Sequence, residues 1–213
     1  VQSTVGQESE LPEERERAVE QAKADAFYCI KSGENDGVLS QAAKNLVHVV
    51  FRKLDPHGDV YAYISRWLAQ VMTEGRSPWV PHMIDLPPVV VDLRDELGIP
   101  RDAVVFGRHG GRSTFNMKMA HKAVRKAAAR RKNAWFLFMN TDPLRKTLLS
   151  RESERIVHLP PTADLERKAA FVNTCDAMLH AQSWGETFGL AVGEFSSRNK
   201  PIITYARPNE KGY

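Results

Sequence analysis

The sequence predicts an α/β protein with mainly parallel sheets, arranged in two parts along the chain. Three observations carry this reading. Near-continuous apolar runs, such as residues 46–51 and 135–139, suit strands covered on both faces. Helical patterns alternate with these runs, as in strand–helix units. Two strand-to-helix loops are unusual in composition: Gly107-Arg108-His109-Gly110-Gly111-Arg112 is glycine-rich and basic, and Gly185-Glu186-Thr187-Phe188-Gly189 is acidic. In doubly wound sheets, the loop after a strand meets the ligand.

In chain order, residues 1–11 read as disordered. Residues 12–24 read as a helix with proline and acids in its first turn. Strands are expected at 27–30, 46–51 and 59–64, and a helix at 65–71. Ser32-Gly33-Glu34-Asn35-Asp36-Gly37 is a turn signal. It lacks the later acids of a calcium loop. Residues 79–84 read as extended, and Asp85-Leu86-Pro87-Pro88 stiffens the chain. The expected organisation is a partial first domain over 1–86, a linker over 87–101 and a second domain over 102–213. The second domain should carry strands at 103–107, 135–139, 155–159, 175–181 and 200–205. Helices are expected at 114–131 and 164–173, with a short one after Gly189. Met117, Ala120, Ala123, Val124, Ala127 and Ala128 form the apolar side of helix 114–131. The chain stops at Asn209-Glu210-Lys211-Gly212-Tyr213, where another helix is expected, so it reads as a fragment of a longer protein.

Composition narrows the class. The chain has 213 residues, 42% hydrophobic and 26% charged, which is ordinary for a soluble globular protein. No stretch approaches the roughly 18 apolar residues of a membrane span, so membrane association is expected to be peripheral at most. The polar, acidic start is not a secretory signal. Cys29 and Cys175 sit in apolar surroundings and read as buried thiols, which fits a cytoplasmic location. A net charge of +4 suits an anionic small molecule as well as a nucleic acid.

Two segments point to chemistry. Glu186 is placed on a loop at a strand's carboxyl end, and Glu194 about one turn into the next helix. Carboxylates accept from sugar hydroxyls. Backbone N–H groups near Phe188, Gly189 and Leu190, expected at a helix start, would favour a phosphate oxygen. In the second segment, Gly107 and the following glycines let backbone approach phosphate, and Arg108 and Arg112 neutralise it. This is neither a Walker loop nor a dinucleotide fingerprint. Lys122, Arg125, Lys126, Arg130, Arg131 and Lys132 read as a solvated helix end; no aromatic residues interleave for base stacking. Histidine spacing nowhere suggests a zinc site.

Residues 103–206 resemble the nucleotide-sugar-binding domain of retaining GT-B glycosyltransferases of the family 4 (glycosyl transferases group 1) kind. The resemblance rests on Glu186, Phe188, Gly189 and Glu194, the Lys200-Pro201-Ile202-Ile203 strand, and Gly107-Arg108 after the first strand. Residues 26–86 resemble, more loosely, the later half of the acceptor-side domain. The resemblance implies a GT-B-like fold of two Rossmann-like domains. It implies transfer from a nucleoside diphosphate sugar, of UDP or GDP type, with retention of anomeric configuration. Glu186 would touch the transferred sugar and Glu194 the ribose. Arg108 and the backbone at 188–190 would bind the diphosphate, with residues 180–183 beside the sugar-nucleotide. No metal or other cofactor is implied, and no Asp-x-Asp motif is present. A histidine of the first domain commonly lies near sugar and acceptor: His57, on a loop, is the candidate, with His82 weaker and His48 reading as a core histidine. His109 reads as a cap of the glycine loop. The family commonly has a lysine six residues after the arginine; here that position is Thr114, with Arg112 or Lys118 as stand-ins. The acceptor, whether glycan, lipid or protein, is not specified. The alternatives are a noncatalytic sugar-nucleotide or carbohydrate-binding relative and, behind it, a basic nucleic-acid-binding module.

Overall fold

The computed structural model describes residues 12–144 and 153–205. The expected disorder at 1–11 and the expected break at 209–213 lie outside them. The chain divides into two compact units between His82 and Met83.

The first unit holds α1 (Pro12–Ala22), β1 (Ala26–Lys31), β2 (Lys44–Val49), β3 (Val60–Tyr63) and α2 (Arg66–Thr73). Its three strands are parallel, in the order β1-β2-β3. Helix α2 begins where Ser65 Oγ accepts from Leu68 N, an N-cap that satisfies one orphan amide. It buries Leu68 and Ala69, and Val47, Val49, Tyr63 and Ile64 are buried in the same unit. Glu16 of α1 accepts from Ser40 Oγ at 2.9 Å and from the amides of Gln41 and Ala42 at 2.6 and 2.7 Å, tying that helix to the β1–β2 loop. Strand β2 starts and ends two residues earlier than the apolar run predicts. Phe51 falls outside it and is exposed, because the sheet pairs Lys44 with Ala26 and continues only to Val49.

The second unit holds β4 (Val104–Arg108), α3 (Lys118–Arg130), β5 (Ala134–Met139), β6 (Ile156–Leu159), α4 (Leu165–Thr174), β7 (Ala177–Leu179), α5 (Leu190–Ser197) and β8 (Ile202–Ile203). All five strands are parallel, in the order β6-β5-β4-β7-β8. Strand β5 shows why its sequence is almost wholly apolar. Phe136 and Phe138 enter one core cluster, with Val124 and Ala128 of α3. Leu137 and Met139 enter another, with Phe171 of α4 and Phe195 of α5. Both faces of the sheet are therefore covered, and alternate residues serve each.

Residues 87–101 are anchored on this unit. Leu93 and Ile99 are buried in its core. The buried Arg94 guanidinium donates to the carbonyls of Pro100 and Ala103 at 3.1 and 2.8 Å and to Asp176 Oδ2 at 3.0 Å. Helix α3 starts at Lys118, four residues later than expected. The segment before it is held in another way: Thr114 Oγ1 donates to the Gly111 carbonyl, and the Phe115 carbonyl accepts from His121 Nε2. Ala123, assigned to the apolar side, is exposed; His121 is buried instead. Among the described residues no helix is long and apolar enough to cross a membrane.

Candidate functional site

Strand order in the second unit reverses direction between β4 and β7. In an open parallel sheet, the crevice at the carboxyl ends of two such strands is where ligands bind. Arg108 is the last residue of β4, and the 180–189 loop follows β7. The two segments that the sequence singles out therefore meet at one topological switch point.

Strand alternation sends consecutive side chains at the end of β4 to opposite faces. Arg108 goes to the α3 side, where its guanidinium lies 5.7 Å from the centre of the Phe115 ring. Nη1 donates to Thr141 Oγ1 at 3.1 Å, and Nη2 donates to Thr114 Oγ1. Its Nε has no hydrogen-bond partner among the described residues. The residue is only 3% exposed. Burial pushes its pKa down to about 10, against the opposing charge of Glu186. Thr114, which stands where the resemblance calls for lysine, thus holds the arginine in place.

His109 goes to the other side and is buried between Phe195, stacked at 5.7 Å, and Phe171, edge-on at 5.8 Å. Its Nε2 lies 2.9 Å from Glu194 Oε2, without the alignment of a hydrogen bond. Lys168 Nζ of α4 donates to Glu194 Oε1 at 3.2 Å. Burial alone would raise the Glu194 pKa. The nearby His109 ring and the bond and charge of Lys168 outweigh it, and the carboxyl sits below its ordinary value. The contribution of this ionised group is therefore complete above the ordinary pKa of 4.5 and is lost as pH falls through the lower folded value. The stability of the wild-type chain should fall more steeply than that of Glu194→Gln between about pH 5 and pH 3 in denaturant titrations. Parallel curves would contradict this.

Glu186 lies on the loop after β7, with its side chain 27% exposed and Oε1 3.2 Å from His180 Nε2. His180 Nδ1 is 3.3 Å from Thr204 Oγ1, beyond β8. Helix α5 begins immediately after Gly189, as the Phe188-Gly189 step predicts. Gly189 is its N-cap at φ +81°, a left-handed conformation that favours glycine. Among the described residues no side-chain cap bonds the first turn, as at a helix start that can receive an anion.

Not every predicted residue joins this cluster. Gly107 has a packing reason to be glycine: a Cβ there would lie 2.1 Å from Cys175 Sγ. Arg112 is on the surface, where Nε donates to Asp142 Oδ1 at 2.7 Å. Lys118 is exposed at the start of α3. His57 belongs to the first unit. Its Nδ1 donates to the Asp55 carbonyl at 2.6 Å, and its Nε2 accepts from Lys31 Nζ at 3.3 Å; buried Lys31 also pairs with Asp36. In the same unit, His48 is buried and satisfied by Tyr28 and the Val80 carbonyl, 5.2 Å from the His82 ring. Among the described residues, no group of three or more His, Cys, Asp or Glu side chains is placed to hold a metal ion.

The sequence gives no sign of Thr141 or Lys168, assigns His180 only to the stretch 180–183 expected beside the sugar-nucleotide, and gives His109 only a capping role. Their one available signal was position, since each lies at or near the carboxyl end of a strand or on a helix flanking one.

No protein-family model matches the chain, and no curated protein matches it. Solved structures do. A glycosyltransferase from Rickettsia africae ESF-5 is similar with a TM-score of 0.53 at 11% identity, over 94% of this chain and 64% of that one. A structure of the GtfA/B complex is similar with a TM-score of 0.51 at 15% identity, over 92% of this chain and 45% of that one. The chain thus spans less than two thirds of the length of either. With its two mainly parallel sheets, the fold is the α/β fold of GT-B glycosyltransferase structures.

Proposed function

We propose that this chain carries the donor site of a glycosyltransferase that moves a sugar from a nucleoside diphosphate sugar, of UDP or GDP type, to an acceptor. The observation that carries the reading is Arg108: a buried cation at the switch point, with a free Nε and with Glu186 within electrostatic reach. A buried arginine that the fold does not neutralise is suited to an anion that arrives with the substrate. The departing diphosphate gains negative charge as the anomeric C–O bond breaks and an oxocarbenium-like centre forms. Arg108 and the uncapped amides at the start of α5 are preorganised to stabilise that charge. Glu186, oriented by His180, receives the sugar hydroxyls, and Glu194 receives the ribose.

Retention of anomeric configuration belongs to the same proposal, with the acceptor entering on the face that the diphosphate leaves. The anomeric proton coupling of the product reads this directly, and an inverted product would sink it. For the acceptor side we keep His57 as the proposed histidine: its Nδ1 donates to the Asp55 carbonyl and its Nε2 accepts from Lys31, so it would bind an acceptor only by exchanging one of these bonds.

The sugar role of Glu186 is isolated by comparing a nucleoside diphosphate with its sugar derivative in calorimetric titration. The sugar should add affinity in the wild-type chain. Glu186→Ala should remove roughly 1.5–3 kcal/mol of that increment, the range for a hydrogen bond to a charged group. Affinity for the bare diphosphate should change little. An equal loss for both ligands would overturn the assignment.

A further inference from the structure

We infer that His109, with Lys168, is a positioning pair that sets Glu194 to select a ribonucleotide over a deoxyribonucleotide; this rests on the donor-site reading above. The Glu194 side chain is 12% exposed, and each carboxylate oxygen already meets one base: Oε2 meets His109 at 2.9 Å, Oε1 meets Lys168 at 3.2 Å. A carboxylate offers about four lone-pair sites, so with Lys168 and His109 beside it Glu194 keeps acceptor capacity for the hydroxyls of a ribose. A glutamate free to rotate would bind such a diol at the expense of side-chain entropy. Glu194 is spared this because its plane is fixed from two directions.

The supports are themselves rigid. The His109 ring is buried and wedged between Phe171 of α4 and Phe195 of α5. Its neighbour in the chain is Arg108, so one strand end aims a cation at the diphosphate side and a histidine at the ribose-binding carboxylate. Lys168 is on α4 and approaches from a different element. At metal sites, partners one step removed change affinity by roughly ten- to a hundredfold, and the same orienting logic applies to a carboxylate that must accept from a diol. Neither residue touches substrate in this account, so the expected signature is a loss of discrimination rather than of all binding.

The probes are UDP and GDP, each paired with its 2′-deoxy form, titrated calorimetrically into the wild-type chain, His109→Leu, His109→Gln and Lys168→Met. The wild type should prefer the ribonucleotide by at least about tenfold, the worth of one charge-assisted hydrogen bond. His109→Leu and Lys168→Met should each bring that ratio close to one while leaving affinity for the deoxy form within about threefold. His109→Gln, which keeps a side-chain N–H, should restore part of the ratio. If the wild type binds and discriminates and both His109→Leu and Lys168→Met keep the ratio, the inference is wrong and the donor-site reading stands. A variant that weakens both nucleotides equally shows a merely structural role and also overturns it. If the wild type binds neither UDP nor GDP, the donor-site reading fails and takes this inference with it. Lys168 is partly exposed, so its methionine variant keeps the test decisive should His109→Leu fail to fold.

Discussion

Arg108→Met is expected to make the chain more stable and at the same time to remove its affinity for nucleoside diphosphates. The residue is 3% exposed, and burial pushes its pKa down to about 10, well below the ordinary value of an arginine. A base whose pKa is lower in the folded state opposes folding while it is charged. Stability would recover only as pH rises above about 10 toward the ordinary arginine value, so at neutral pH the full penalty is present. Methionine fills the space without charge. The hydroxyls left behind remain satisfied, since Thr114 still donates to the Gly111 carbonyl at 2.7 Å and Thr141 to the Met139 carbonyl at 3.0 Å. Glu186 keeps His180 and partial access to water. The expected gain is on the order of 1–3 kcal/mol in equilibrium denaturation, typical of replacing buried charge with apolar bulk. Loss of a charge-assisted contact with the diphosphate should weaken binding by at least about a hundredfold. A variant that is less stable by more than about 1 kcal/mol, or that still binds, would contradict the account of Arg108 as strain kept for a ligand.

Gly107→Ala should show the opposite pattern, a large loss of stability from a single methyl group. The added Cβ would stand 2.1 Å from Cys175 Sγ, 3.0 Å from Cys175 Cβ and 3.2 Å from Phe195 Cζ. Cys175 is wholly buried, and none of these atoms is the free end of a flexible chain. Overpacking of this kind costs about 1–3 kcal/mol, and the closeness of the sulfur places this case at the top of the range. Cys175→Ala removes the nearest atom. The double variant should therefore be less destabilised than the sum of the two single changes, with a coupling of about 1–3 kcal/mol. Strict additivity would mean that the backbone moves instead and that Gly107 has another reason to be glycine.

Much of the fold was legible because single segments carry it. The apolar run at 135–139 becomes β5, and Asp164 caps α4 by accepting from Glu166 and Arg167. What was not legible depends on contacts between distant parts of the chain. Arg94 looks like any charged residue of a loop, yet its partners include Ala103 and Asp176. The start of α3 was misread because Thr114 and Phe115 fit a helical pattern but make local hydrogen bonds that forbid one. The site divides in the same way. That Arg108 and Glu186 lie at the carboxyl ends of β4 and β7, with Glu194 in the helix that follows, was legible from the loops after strands. His109 was seen but misjudged, since strand alternation and the two flanking phenylalanines decide where its ring goes. Arg112 shares the loop and charge of Arg108, but it faces Asp142 at the surface.

In the proposed donor site, Arg108, the first turn of α5 and the two glutamates hold one nucleotide together. A crystal structure of the chain with a nucleoside diphosphate tests it most directly. The account predicts diphosphate oxygens within hydrogen-bond distance of Arg108 and of the backbone amides at 188–190, with the ribose hydroxyls on Glu194. A nucleotide bound with its diphosphate away from Arg108, or with its ribose turned from Glu194, would contradict it.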